Sequence, residues 1–160
     1  GLEKDMILYK EYVNAEKPKD KIMQSVYHIP ISMPLFQADI RGYNLLKDAR
    51  VDFEFKDSHL ISDIVHFYSF NIKNIDNVQS KMMDNCENNT RELSFLSFFE
   101  LKSEKGELLN KECFEYMKTG EYKQRLVYAH FMRGIFKREL LFFKEKATAL
   151  LDRVMESDYK

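Results

Sequence analysis

A chain of 160 residues with 25 Lys and Arg against 26 Asp and Glu has a net charge of −1 and lacks the clustered basic excess with which nucleic-acid binders neutralise phosphate. With 44 % hydrophobic and 32 % charged residues, 5 Gly and 3 Pro, it is too apolar to stay disordered and too poor in chain breakers for a many-turned β sandwich. Its size suits one helical domain, residues 1–160, with a core that needs no metal or disulfide to staple it.

No run approaches the roughly 18 apolar residues of a membrane-spanning helix, and the densest stretch, Leu93 to Leu101, has Ser and Glu inside it. The chain opens Gly1-Leu2-Glu3, without Met, which reads as the remnant of a tag or as a processed fragment from which an upstream signal or anchor was removed.

In chain order, Leu2, Met6, Tyr9 and Val13 recur at helical spacing and predict a short helix over 2–16, ended where Lys17 meets Pro18. Between Pro18 and Pro34, which hold all three prolines, Val26-Tyr27-His28-Ile29 reads as extended chain laid on the core. Ser32 with Pro34 signals a second helix through Leu35, Asp39, Tyr43 and Leu46 to about Ala49. Alternation in Val51-Asp52-Phe53-Glu54-Phe55 predicts a brief extended linker.

Asp57 or Ser58 then caps a stripe of Ile61, Val65, Tyr68, Ile72, Ile75, Met82 and Cys86, which keeps one side of a helix apolar. It continues through Leu93, Leu96 and Phe99, with Asn88-Asn89-Thr90 as the expected kink. A turn around Gly106, a short helix near Glu112 to Lys118 and a glycine cap at Gly120 follow. The last helix, about 121–156, carries Leu126, Ala129, Met132, Phe136, Leu140, Phe143, Ala147, Leu150 and Val154 on one face. Phe136 is expected at the centre of that face, with Arg133, Lys137 and Arg138 rotated to solvent. The predicted fold class is thus all-α: an elongated antiparallel bundle of two long helices, about 58–100 and 121–156, with shorter helices at the N-terminus.

Four sets of residues offer chemistry. His59, Asp63 and His66 are spaced four and three apart, so on a helix they share a face and form the candidate metal site; the same spacing also suits a solvated polar face. His130 stands near Arg133 and Lys137 without a nucleophile or relay partner, which makes it a structural or surface histidine. Cys86 and Cys113 lack zinc-site spacing and either pair across the bundle or stay as buried thiols, the second being favoured. Phe95, Phe98, Phe99, Phe142 and Phe143 either frame a hydrophobic ligand pocket between helices or simply fill the core. Phosphate-cradle, zincin and nucleophile-elbow motifs are absent, as is the Glu-x-x-His pair of di-metal bundles.

Tyr43-Asn44-Leu45-Leu46-Lys47-Asp48-Ala49-Arg50-Val51-Asp52-Phe53, followed by Leu60-Ile61-Ser62-Asp63-Ile64-Val65-His66-Phe67-Tyr68, resembles a family of uncharacterised bacterial membrane-anchored proteins. Its members have a basic N-terminus, one membrane-spanning helix and a helical domain with a Tyr-Asn passage, a short apolar linker and a Leu-x-x-x-Ile/Leu-x-x-Tyr-Tyr passage. Tyr122-Lys123-Gln124-Arg125-Leu126 and the long last helix resemble its C-terminal part. The chain departs from the pattern with Asp48-Ala49 where the family has Ser-Gly, and with Phe67-Tyr68 at the second aromatic position.

The resemblance implies a domain at the bacterial cell membrane, on its periplasmic side rather than the cytoplasmic one, with no assigned activity and tethered through a segment absent from this chain. Long rods that offer extended surfaces to partners, without a convergent polar constellation for chemistry, lead to the expectation of a non-catalytic interaction or sensory domain. No cofactor is expected, and a protein partner or self-association is. The competing expectation is a metal-dependent helical-bundle enzyme using His59, Asp63 and His66.

Overall fold

The computed structural model describes residues 2–16, 19–41, 43–44, 59–94 and 111–157. Among these, every regular element is a helix and none is a strand, so the protein is all-α. The elements are α1 (Leu2–Asn14), α2 (Asp20–Val26), a 3₁₀ turn (Ile29–Ile31), α3 (Leu60–His66), a π-helical segment (Phe67–Ile72), α4 (Lys73–Ser94), α5 (Lys111–Met117) and α6 (Gly120–Ser157). The described part of the chain divides into two compact units, 1–34 with 80–135 and 35–79 with 136–160. Both long helices contribute to both units.

In the first unit, α1, α2, α5, the end of α4 and the start of α6 bury Tyr12, Met23, Val26, Leu93, Cys113, Met117, Tyr122 and Leu126. Full burial of one such side chain removes apolar area equivalent to about 1.5–3 kcal/mol. Two tyrosines anchor the chain by their polar ends. Tyr12 donates to the Met117 carbonyl at the end of α5, and Tyr122 donates to Val26 O at the end of α2, 3.2 Å away. Helix ends leave carbonyls without intrahelical donors, so each phenol satisfies an acceptor while its ring fills the core. Arg125 ties the rim together, reaching Asn89 Oδ1 at 2.7 Å, the Tyr116 hydroxyl at 2.9 Å, Glu121 at 2.8 Å and Glu92. Glu92 on α4 meets Arg125 on α6 while Cys86, six residues earlier on α4, shares Ser32 O with Arg133, eight residues later on α6, so the two helices run antiparallel in this unit.

The second unit buries Leu60, Phe67, Asn71, Ile75 and Phe136. Phe143 of α6 packs between Phe67, at 4.8 Å, and Phe36, at 5.3 Å, while Tyr43 stacks on Tyr68 at 4.7 Å. Asp63 meets Arg153 and Phe67 meets Phe143, so α3 and α6 also oppose each other here.

The segment read as extended, Val26 to Ile29, is the end of α2 followed by a turn and a 3₁₀ turn, in which Pro30 occupies an early position that needs no N–H donor. The predicted second helix is absent from Ser32 to Ile40, where Leu35 is 77 % exposed, and helical winding appears only at Arg41, Tyr43 and Asn44, with the Asn44 N–H bonding Ile40 O at 2.9 Å. Pro34 starts no helix. No kink occurs at Asn88-Asn89-Thr90, because α4 runs unbroken to Ser94 and Asn89 spends its amide on Pro30 O, 2.8 Å away. The helix winding changes instead at Phe67–Ile72. The linker at 51–55, the caps Asp57 and Ser58, the continuation through Leu96 and Phe99 and the turn at Gly106 lie outside the described residues.

Gly120 starts α6 and does not end α5. Thr119 supplies the stop and the start together: its N–H bonds Tyr116 O at 2.9 Å and its hydroxyl accepts the Tyr122 N–H at 3.3 Å. A Cβ added at Gly120 or at Gly134 would meet nothing within 4 Å, and neither glycine needs a positive φ. Gly120→Ala and Gly134→Ala should therefore each raise stability by about 0.4–1 kcal/mol through the loss of unfolded-state entropy. Denaturant midpoints measure this, and a fall at Gly120 would restore the cap reading.

Burial pushes the Tyr12 hydroxyl up to about 12. Its folded value lies above the ordinary phenol value of 10, so the stability it contributes is complete below pH 10 and is lost as pH rises through about 12. Tyr12→Phe should flatten that alkaline loss of thermal midpoint between pH 10 and about 12, relative to wild type, while lowering the midpoint at pH 7 by leaving Met117 O without its donor.

Candidate functional site

The second unit contains a cavity of about 450 Å³, within the range of small-molecule sites. Two helical strips make its walls. Asp63, His66, Phe67, Phe70 and Asn71 come from α3 and the π-helical segment, and Phe142, Lys146, Ala149, Leu150 and Arg153 come from α6 at steps of four, three, one and three. The second strip is the ordinary face of an α-helix.

The first strip also has ordinary helical spacing, at steps of three, one, three and one, and it runs through the π segment at Phe67–Ile72. Its buried positions Phe67, Asn71 and Ile75 follow at two successive steps of four. Segments of π-helix are rare and concentrate at functional sites.

Most of the lining is apolar: Phe67, Phe70, Phe142, Ala149 and Leu150, with Lys146 Nζ lying 5.4 Å from the centre of the Phe142 ring. Polar groups stand at defined places within it. Arg153 donates to Asp63 Oδ2 at 2.7 Å, and the His66 ring stacks on Phe70 at 5.4 Å between centres. Asn71 is only 8 % exposed and lines the cavity, yet its side-chain amide meets no hydrogen-bond partner among the described residues. No side-chain nitrogen or oxygen of the described residues is both sealed and unpaired, so the amide of this mostly buried residue opens onto the cavity with donors and acceptor unspent.

Of the sequence-predicted metal ligands, Asp63 and His66 line this cavity and His59 stands exposed just before α3. Asp63 is engaged by Arg153, and among the described residues no group of three His, Cys, Asp or Glu is arranged to hold a metal ion. The three residues share a stretch of chain but form no ligand set.

His130 lies in the first unit, stacked flat on Tyr9 with ring centres 3.8 Å apart. Burial, with Lys10 and Arg133 nearby, holds its pKa below the usual histidine value. Cys86 and Cys113 are both free thiols. The Cys86 thiol donates to Ser32 O at 3.3 Å, and burial pushes its pKa up, offset in part by Arg133. Phe142 lines the cavity and Phe143 packs in the core beside it, whereas Phe95, Phe98 and Phe99 lie outside the described residues.

One expectation for the last helix is reversed. Phe136 is fully buried as the spacing predicts and Arg138 is exposed, but Arg133 is 2 % exposed and not turned to solvent. The buried face of α6 in the first unit is wider than one stripe, so Met132 and Arg133 are both enclosed. There the guanidinium meets Asp5 Oδ2 from Nε at 3.2 Å and Ser32 O from Nη2 at 2.6 Å. Asn71 was likewise passed over, because a polar residue beside an apolar stripe looks solvated.

No protein-family model, curated protein or solved structure matches the chain.

Arg133→Met should cost about 3–5 kcal/mol, since it removes the guanidinium paired with the largely buried Asp5 carboxylate and leaves Ser32 O to the weak Cys86 thiol donor alone, while Arg138→Met should stay within about ±0.5 kcal/mol. Urea midpoints compare the two, and equal midpoints would show that Arg133 holds nothing.

Proposed function

We propose that the chain is a non-catalytic sensory domain that binds a small, largely aromatic molecule in the cavity of the second unit. The observation that carries this reading is Asn71, buried at the π-helical segment and facing an apolar cavity with its amide unspent. Its ligand is a flat apolar body bearing one neutral polar group: Phe67, Phe70 and Phe142 take the ring, and the Asn71 amide takes the polar group.

Binding without reaction is supported by what the lining offers. Asp63 is neutralised by Arg153, the imidazole of His66 lies flat on Phe70, and neither Ser nor Cys lines the cavity. A nucleophile with its base, or a carboxylate with a reacting group to protonate, is not assembled there. The π segment supplies the responsive element of a sensor, because a change between two backbone hydrogen-bond registers needs only small differences in free energy between states.

The wider setting in this proposal, attachment to a bacterial membrane with the domain on its periplasmic side, rests on the sequence resemblance. No helix among the described residues is long and apolar enough to cross a membrane, so the tether in this reading is a segment beyond the chain. Recovery of the full-length protein entirely in a soluble cytoplasmic fraction would remove that part of the proposal.

Calorimetric titration with phenol and with toluene tests the site. Phenol should bind saturably and about threefold to tenfold more tightly than toluene, the worth of one neutral hydrogen bond. In Asn71→Leu the preference should vanish while toluene affinity is kept or improved. A preference that survives Asn71→Leu, or no saturable binding of either probe, overturns the assignment.

A further inference from the structure

Away from that cavity, in the first unit, a second recess of about 520 Å³ is built around Arg133. Lys4 and Asp5 of the first turn of α1, His28 and Ser32 share its wall with the guanidinium. Arg133 is 2 % exposed, and its hydrogen bonds use only part of the fork. Nε reaches Asp5 Oδ2 at 3.2 Å, and Nη2 reaches Ser32 O at 2.6 Å and Ser32 Oγ at 3.2 Å. Both N–H groups of Nη1 remain without an acceptor among the described residues. No buried side-chain nitrogen or oxygen of the described residues is both sealed and unpaired, so Nη1 opens onto the recess.

We propose that this recess binds a small organic monocarboxylate, its carboxylate on Arg133 Nη1 and its body on Leu8, Met33 and Pro34. The charge of the wall selects the class. Arg133 and Lys4 are permanent cations, and Asp5 is the one carboxylate, already spent on Arg133 Nε and on His28 Nε2, 3.3 Å from its other oxygen. One positive charge is left uncompensated, and a monoanion balances it. A dianionic phosphate would exceed that single positive charge and place the surplus close to Asp5, whose side chain is 16 % exposed. A guanidinium is the side chain suited to an enclosed carboxylate, since it stays charged under burial and offers paired donors in a plane. Leu8, Met33 and Pro34 give that carboxylate an apolar side to lie against, which distinguishes an organic acid from a simple inorganic ion.

The test uses the whole chain and sodium butyrate as the probe, with butyramide, inorganic phosphate and sodium chloride as controls at matched ionic strength. Calorimetry should show saturable butyrate binding with a dissociation constant on the order of 1 mM or below. In protein carrying ¹⁵N-arginine, the Arg133 side-chain resonances, assigned by their loss in Arg133→Lys, should move with the same midpoint. Lys4→Ala, at an exposed position where folding is not at stake, should weaken butyrate about threefold to tenfold at low salt. Arg133→Lys keeps a cation for Asp5 but removes the fork, and should weaken it by more than Lys4→Ala does. The proposal falls if butyrate moves the Arg133 resonances no further than chloride, if butyramide does as well as butyrate, or if phosphate alone saturates the site. Asn71→Leu should leave butyrate binding unchanged, so this site and the aromatic cavity stand or fall separately.

Discussion

The first unit depends on how the chain from Val26 to Ser32 satisfies its backbone carbonyls. Two of its residues break regular structure: Pro30 has no N–H, and Ser32 is extended after the 3₁₀ turn. Their carbonyls cannot be paired by a continuing helix, and a buried acceptor left alone costs about 1–3 kcal/mol. Side chains from two other elements close the account. Tyr122 donates to Val26 O, Asn89 to Pro30 O, and Cys86 and Arg133 both to Ser32 O. Each donor sits on α4 or α6, so the irregular segment clasps the two long helices as they are held by it. Burying Arg133 to serve that carbonyl requires a counter-charge, and Asp5 brings α1 into the same arrangement. The burial that lowers the Arg133 pKa leaves the guanidinium charged, because an arginine has far to fall before it loses its proton.

In the second unit a polar residue is kept inside where the helix winding changes. The strip Asp63, His66, Phe67, Phe70 and Asn71, which shares the cavity wall with Phe142, Lys146, Leu150 and Arg153, crosses the π segment between Phe67 and Ile72. Keeping the π turn costs backbone hydrogen-bond quality, and keeping Asn71 inside costs its desolvation. Local rules that are broken at a cost tend to be broken at functional places.

The helices themselves were legible, because their cause is local. The three-and-four spacing of Leu126, Ala129, Met132 and Phe136 describes a face that is buried in the folded protein, and α6 begins and ends within a residue of where that spacing predicts. The stripe Ile61, Val65, Tyr68, Ile72 is rotated from the buried line Leu60, Phe67, Asn71, Ile75, which also keeps helical spacing but hides a polar residue at Asn71, and nothing in those residue types announces the π turn. Ser32 and Pro34 carry a helix-start pattern, but Arg133, 101 residues away, takes the Ser32 carbonyl and fixes the residue in extended form. Arg133 itself looked solvated for the same reason: its partners Asp5 and Ser32 are near it only in the folded chain. What failed in each case was a contact between distant parts of the sequence overriding a local preference.

The two cavities differ in the polar group each leaves unspent. Around Asn71 the Asp63 carboxylate is held by Arg153 and Lys146 lies over the Phe142 ring, so the unspent group is a neutral amide set among aromatic rings. Around Arg133 the unspent group is the N–H pair of Nη1, with Asp5 already engaged by Arg133 Nε and by His28. A neutral aromatic molecule gains nothing from Nη1, which would stay unpaired beneath it. A molecule matched to one site therefore leaves the other's polar group without its partner, and a lost hydrogen bond of that kind discriminates more strongly than a difference in apolar fit between two molecules of similar size.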